Sequence, residues 1–168
     1  LHAVRLIVKY LPLAVENGSD LTARGQMQIA ALLAGWAFSN AMVGLVHAMA
    51  HSLGAVCGIP HGLANGLLLP HVMKFNLKEV PELLADIAFS MGVDTGGVDA
   101  LGAAEAAVHA MQALSKRIGL SQRLRDLGVG MDKLKECSEL SMTDGSIIYN
   151  PRIIMDTEEV FAVYKEAF

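Results

Sequence analysis

The chain has 168 residues, 53% of them hydrophobic and 18% charged, with a formal net charge of −4. That length gives one ordinary domain a core without disulfide or metal staples, and a pI near 5.8 excludes a general attraction to nucleic acid or anionic lipid. Two cysteines, Cys57 and Cys137, form neither a disulfide framework nor a zinc-ligand set and fit a reducing, cytoplasmic setting.

In chain order, the opening LHAVRLIVKYL sets apolar Leu1, Val4, Ile7, Val8 and Leu11 around Arg5 and Lys9, which predicts a helix. It carries neither an initiator Met nor a signal-peptide pattern and reads as the middle of something longer. Asn17 and Gly18 should end this helix, and Ser19 or Asp20 should cap the next. From Gly25 to Met73 there is no Asp, Glu, Lys or Arg. Within that stretch IAALLAGWAFSNAMVGLV is long enough for a membrane span. However, Ser39 and Asn40 interrupt it, no aromatic belt flanks it and imidazoles follow closely. The expectation is a helix packed inside protein, with no membrane partner.

A break is expected over Leu53 to Pro60, where Gly54, Gly58 and Pro60 fall. HGLANGLLLPHVMKFN then reads as a helix opened by Pro60 and interrupted near Pro70. VPELLADIAFSMGV is a short amphipathic helix stopped by Gly92. VDALGAAEAAVHAMQALSKRIG is the clearest amphipathic helix, with Lys116 and Arg117 in its last turn and Gly119 as its stop. MDKLKECSELSM and TEEVFAVYKEAF supply two more. No strand series or repeat appears, so the fold class is all-α: a multi-helix bundle forming a single domain over residues 1–168.

The chemistry concentrates in residues 46–62, VHAMAHSLGAVCGIPHG, which hold His47, His51 and His61 without a neighbouring charge. A buried imidazole without a partner is costly. Spaced by four on a helix, His47 and His51 project from one face, and the Gly-Pro turn can return His61 to the same centre. The zincin motif shares the four-residue spacing but requires Glu beside the first His. Ala48 stands there instead, which excludes metalloprotease chemistry. A pair of histidines on an apolar face is commonly structural; three so close together point to a bound group. His71 reads as a helix-terminal or cleft-wall residue and His109 as a surface or satisfied core residue. Cys57 is placed in the turn between the histidine helices, with no activating base beside it. Met27, Met42, Met49 and Met73 read as flexible core filling, and Trp36 and Phe38 as packing residues or substrate wall. Gly128-Val129-Gly130 follows a helix rather than a strand and lacks the third glycine of a dinucleotide fingerprint.

The stretch NAMVGLVHAMAHSLGAVCGIPHGLANGLLLPHVMKFN, Asn40 through Asn76, resembles the second signature region of the iron-containing (group III) alcohol dehydrogenases. The similarity extends to LIVKYLPLAVENGSDLTAR, to LLAGWAFSNA and to Asn150-Pro151-Arg152 followed by a short helix, while residues 93–142 match only in helical character. The resemblance implies the C-terminal helical domain of an enzyme that interconverts alcohols and aldehydes or ketones by hydride transfer to NAD(P). By that match His47 and His61 are two metal ligands, with Fe2+ foremost and Zn2+ the alternative. His51 is the histidine beside nicotinamide and substrate, cofactor-binding and either catalytic as a proton carrier or a wall residue that merely orients the nicotinamide. The family's other two ligands, an Asp and a His, and its NAD(P)-binding α/β domain are expected upstream of Leu1, and His2 does not match the pattern. Small alcohols or aldehydes are the implied substrates, and a homo-oligomer is expected from an exposed cleft. The chain alone is expected to be inactive. The competing reading is a non-catalytic helical metal-binding or interaction module.

Overall fold

The computed structural model describes residues 1–120 and 123–168. Among these are eight α-helices and no strand, as the sequence pattern predicts. The helices are α1 (His2–Glu16), α2 (Leu21–Ala41), α3 (Leu45–Cys57), α4 (His61–Asn76), α5 (Pro81–Ser90), α6 (Ala100–Arg117), α7 (Met131–Ser141) and α8 (Thr157–Ala167). Short 3₁₀ segments occur at Leu124–Leu127 and Gly145–Tyr149.

Several helix ends follow from local chemistry. Asp20 Oδ1 accepts the amide of Ala23 at 2.9 Å, Asp99 Oδ1 that of Gly102 at 2.8 Å, and Asp156 Oδ1 that of Glu159 at 3.1 Å. Each satisfies a backbone donor that the first turn of a helix leaves open. Gly92 and Gly119, with φ of +79° and +78°, take the left-handed conformation that stops α5 and α6 at little steric cost.

The chain divides into two compact units. One comprises Leu1–Met42 and Val80–Gly119; in it α1 packs on α2, α5 on α6, and α1 also meets α5 and α6. The other comprises Val43–Glu79 and Leu120–Phe168, with α3 against α4 and α7, and α8 against α4 and α7. Its core contains Leu45, Met49, Leu53, Leu68, Leu124, Leu134, Val160 and Tyr164, all fully buried.

Four local expectations are corrected. First, IAALLAGWAFSNAMVGLV is not one helix: α2 ends at Ala41 and α3 starts at Leu45. Met42 lies at φ +61°, and a Cβ on Gly44 would stand only 3.2 Å from Asn150 Oδ1 and 3.3 Å from Asn150 Cα. Second, α2 is not enclosed: Ala23 and Ala30 are its buried residues, while Ile29, Leu32, Trp36 and Phe38 are exposed. Apolar residues surround this helix, but α1 is its packing partner within the unit. Third, the break after α3 is confined to Gly58–Pro60, because a left-handed residue at Gly58, φ +69°, suffices to turn the chain. Fourth, α4 runs through Pro70 without interruption. Pro70 forfeits a backbone hydrogen bond, a cost of about 3 kcal/mol, which burial of Leu67, Leu68, Val72 and Met73 around it offsets. No single described helix is long and apolar enough to cross a membrane.

Candidate functional site

His47 and His51 stand one turn apart on α3, whose first turn is fixed by Asn150 accepting the Leu45 amide at 3.3 Å. The left-handed Gly58 closes α3, its N–H donating to Gly54 O at 3.1 Å, and Pro60, the N-cap with its ring-fixed φ, opens α4 at His61. All three imidazoles fall within the second unit. Ring centroids are 6.0 Å apart for His47 and His51, 5.4 Å for His47 and His61, and 5.3 Å for His51 and His61, the last two rings stacked at 19°. The structure thus gathers the three candidates from the sequence into one cluster.

Burial holds His47 below the ordinary imidazole pKa, and the neighbouring His61 and His51 lower it further, against an opposing pull from Asp144. A ring so placed is neutral at neutral pH, the form that presents a lone pair to a cation. His51 Nδ1 lies 2.7 Å from Asp144 Oδ2. Asp144 is fixed in turn by the Ser146 amide, which donates to its Oδ1 at 2.8 Å. Burial alone would raise the Asp144 carboxyl, but the hydrogen bonds from His51 and Ser146 outweigh it and hold the group below its usual value. His61 Nε2 lies 3.1 Å from Asn65 Nδ2, which also donates to the His61 carbonyl at 2.9 Å.

Sequence reasoning missed Asp144 and Asn65. Asn65 was readable, since it stands one helical turn after His61. Asp144 offered only a turn signal in Thr-Asp-Gly. The secondary candidates separate. His71 lies inside α4 rather than at its end, with Nδ1 3.8 Å from Glu166 Oε2. His109 is exposed. Cys57 is the last residue of α3, not part of the following turn. Met49 and Met73 are buried, whereas Met42, expected in the core, is 50% exposed. Trp36 and Phe38 are 63% and 52% exposed, so neither is enclosed by the described residues of this chain.

The donor set fits part of a metal site. His47 and His61 offer two imidazoles, fewer than the three or more protein ligands that such sites take, and among the described residues no three His, Cys, Asp or Glu side chains are placed to hold one ion.

Fold and cluster together define an all-helical chain that gathers three imidazoles in one of its two units. The family model described as Fe-containing alcohol dehydrogenase family, C-terminal, matches residues 1–168, and the chain belongs to that family. It is 47% identical over 168 residues to a 1,3-propanediol dehydrogenase of Citrobacter freundii, an alignment covering 100% of this chain and 43% of the relative. It is 34% identical over 167 residues to an NAD-dependent methanol dehydrogenase of Bacillus methanolicus, covering 99% and 44%. The crystal structure of a 1,3-propanediol oxidoreductase matches with a TM-score of 0.96 at 47% identity, over 99% of this chain and 44% of that one. The chain therefore spans less than half the length of the curated relatives it matches. The resemblance carried by residues 40–76 is borne out at the level of family and fold.

Proposed function

We propose that this chain supplies the C-terminal, metal-site part of an NAD(P)-dependent alcohol dehydrogenase. His47 and His61 provide two ligands of a divalent metal, Fe2+ foremost and Zn2+ the alternative, and His51 faces nicotinamide and substrate. The observation that carries this reading is the clustering of the three rings within 5.3–6.0 Å in a chain of this family. The remaining Asp and His ligands and the NAD(P)-binding domain are assigned to residues outside this chain, consistent with its covering 43% of the Citrobacter relative. The substrate class is a small primary alcohol or its aldehyde, with short diols favoured by the name of that relative. The exposed apolar side of α2 favours self-association, and the composition favours the cytoplasm.

A divalent metal held in part by His47 and His61 would supply Lewis-acid polarisation of the alcohol oxygen, and a nicotinamide beside His51 would supply the hydride acceptor. The residues of this chain supply the proton path. Because an ionised carboxylate only accepts hydrogen bonds, Asp144 places the His51 proton on Nδ1 and leaves Nε2 free to take the alcohol proton. Asp144 then stabilises the imidazolium that results.

Metal analysis and turnover of three variants, made in a full-length protein carrying this segment, test the proposal. His47→Ala and His61→Ala should lower bound metal and activity together; His51→Ala should keep most of the metal and slow turnover or alter its pH profile. Full occupancy in both ligand variants would defeat the assignment, and equal loss in His51→Ala would show that the wrong pair had been chosen. Robust alcohol-dependent NAD(P)H formation by the 168-residue chain alone would defeat the division of the site.

A further inference from the structure

Cys57 and Cys137 stand apart from the imidazole chemistry, and both are free thiols. Cys57 is the last residue of α3 and is partly exposed; Cys137 is fully buried in the middle of α7. These two helices pack against each other, and Cys57 packs on the apolar cluster that contains Cys137. The Cys137 thiol points at the C-terminal half of α3, with Sγ 3.7 Å from the Ser52 carbonyl oxygen. Burial, reinforced by the adjacent Cys57 thiol, pushes Cys137 up to about 12. Lys133, one turn before Cys137 on α7, lies near enough to Cys57 for the two to attract each other when charged.

We propose that Cys57 and Cys137 are a redox pair: Cys57 is the entry thiol for a low-molecular-weight disulfide, and Cys137 resolves it into an intramolecular bond that fastens the end of α3 to α7. The Cys57 thiolate attacks one sulfur of the small disulfide, whose S–S bond breaks and releases one small thiol after protonation. Cys137 then attacks Cys57 Sγ; its proton leaves with the second small thiol as the mixed disulfide breaks. Two protein thiols are oxidised and one small disulfide is reduced to two thiols. The order follows from access and acidity, since the thiolate is the nucleophile and the buried Cys137 thiol stays protonated until a sulfur partner stands beside it. The resolving step is accordingly the slow one. This inference does not depend on the metal assignment.

Incubating the reduced chain with oxidised glutathione, followed by intact mass, thiol titration under denaturing conditions and peptide mapping, tests it. The expected product is a monomer lighter by two hydrogens, with no free thiol and a Cys57–Cys137 peptide link that dithiothreitol reverses. Cys137→Ser should accumulate the glutathione adduct on Cys57, and Cys57→Ser should leave Cys137 reduced. A wild-type chain that stops at the Cys57 adduct with Cys137 free overturns the proposal. So does a link that forms only between two chains, or modification of Cys137 in Cys57→Ser at the wild-type rate.

Discussion

The carboxylate of Asp144 meets His51 Nδ1 at 2.7 Å across 93 positions of sequence. The contact joins α3 to the 3₁₀ segment that follows α7 and fixes one ring of the imidazole cluster in orientation and tautomer. In the Asp144→Ala chain, ¹⁵N ring correlations of His51 should change from a predominantly Nδ1-protonated neutral form to a mixture of tautomers. Asp144→Asn keeps a polar partner without the charge and should lie between the two. In a full-length protein the Ala variant should lose on the order of 10- to 100-fold in kcat, a fraction of the 10²–10⁴ that acid–base catalysis supplies, with bound metal unchanged. An unchanged tautomer in Asp144→Ala would remove Asp144 from the proton path.

What the sequence disclosed and what it concealed divide along the range of the interactions. Asn17, Gly18, Asp20, Gly92 and Gly119 act on their own neighbours, and the helix ends fall where those residues predict. His47, His51 and His61 sit within one short stretch, so their convergence was legible from spacing and a turn. Asp144 reaches His51 only through the packing of α3 against the 3₁₀ segment, and no local pattern announces that. Pro70 misled in the opposite sense: its local cost is real, but buried neighbours along α4 outweigh it. The apolar run around Trp36 suggested enclosure because hydropathy records composition and not which side of a helix finds a partner.

Asn150 ties three segments of the second unit together. Its Oδ1 accepts from Leu45 N at 3.3 Å and from Asn76 Nδ2 at 3.0 Å, and its Nδ2 donates to Asn76 Oδ1 at 2.7 Å and to the Arg152 carbonyl at 2.8 Å. Asn150→Ala would strand the buried Asn76 amide and should cost roughly 2–3 kcal/mol. Gly44→Ala should cost roughly 1–3 kcal/mol by overpacking, since its new Cβ meets Asn150 at 3.2 Å. Asn150→Ala removes the Oδ1 that the new Cβ meets but keeps Cα at 3.3 Å and Cβ at 3.6 Å. The double variant should therefore recover only the Oδ1 share of the Gly44 penalty, and be more stable than the summed single losses predict by that share. Denaturant unfolding of the four proteins checks this; strict additivity would separate the two residues.

His71 provides a pH signature. Burial lowers its pKa, and the nearby Glu166 carboxylate, which pulls upward, does not fully compensate; Lys74 and Arg123 add to the lowering. The folded value therefore lies below the unfolded one, so the unfolded chain binds more protons as pH falls below about 6.5. Stability contributed by neutral His71 is fully present above that pH and declines as pH falls toward the folded value. His71→Asn should flatten the loss of unfolding free energy as pH falls below about 6.5, relative to the native chain. Parallel curves below that pH would exclude His71 as a contributor.

Tyr164 is fully buried on α8, and its hydroxyl donates to the Met49 carbonyl at 2.7 Å. Ser141 Oγ lies 3.3 Å from the same hydroxyl and 3.0 Å from Ser52 Oγ, and its one proton is within reach of the Cys137 carbonyl at 2.7 Å. This chain of hydroxyls links α8, α7 and α3 behind the histidine face, where burial keeps the phenol protonated. Tyr164→Phe preserves the ring's packing and deletes only the bridging oxygen, so it should cost about 1–2 kcal/mol and lower the thermal midpoint. Ser141→Ala removes the neighbouring member of the same network, so the Tyr164→Phe/Ser141→Ala pair should lose less than the sum of its parts. A Tyr164→Phe chain as stable as the native one would mean that packing alone holds α8 in place, with the hydroxyl contributing no net stability.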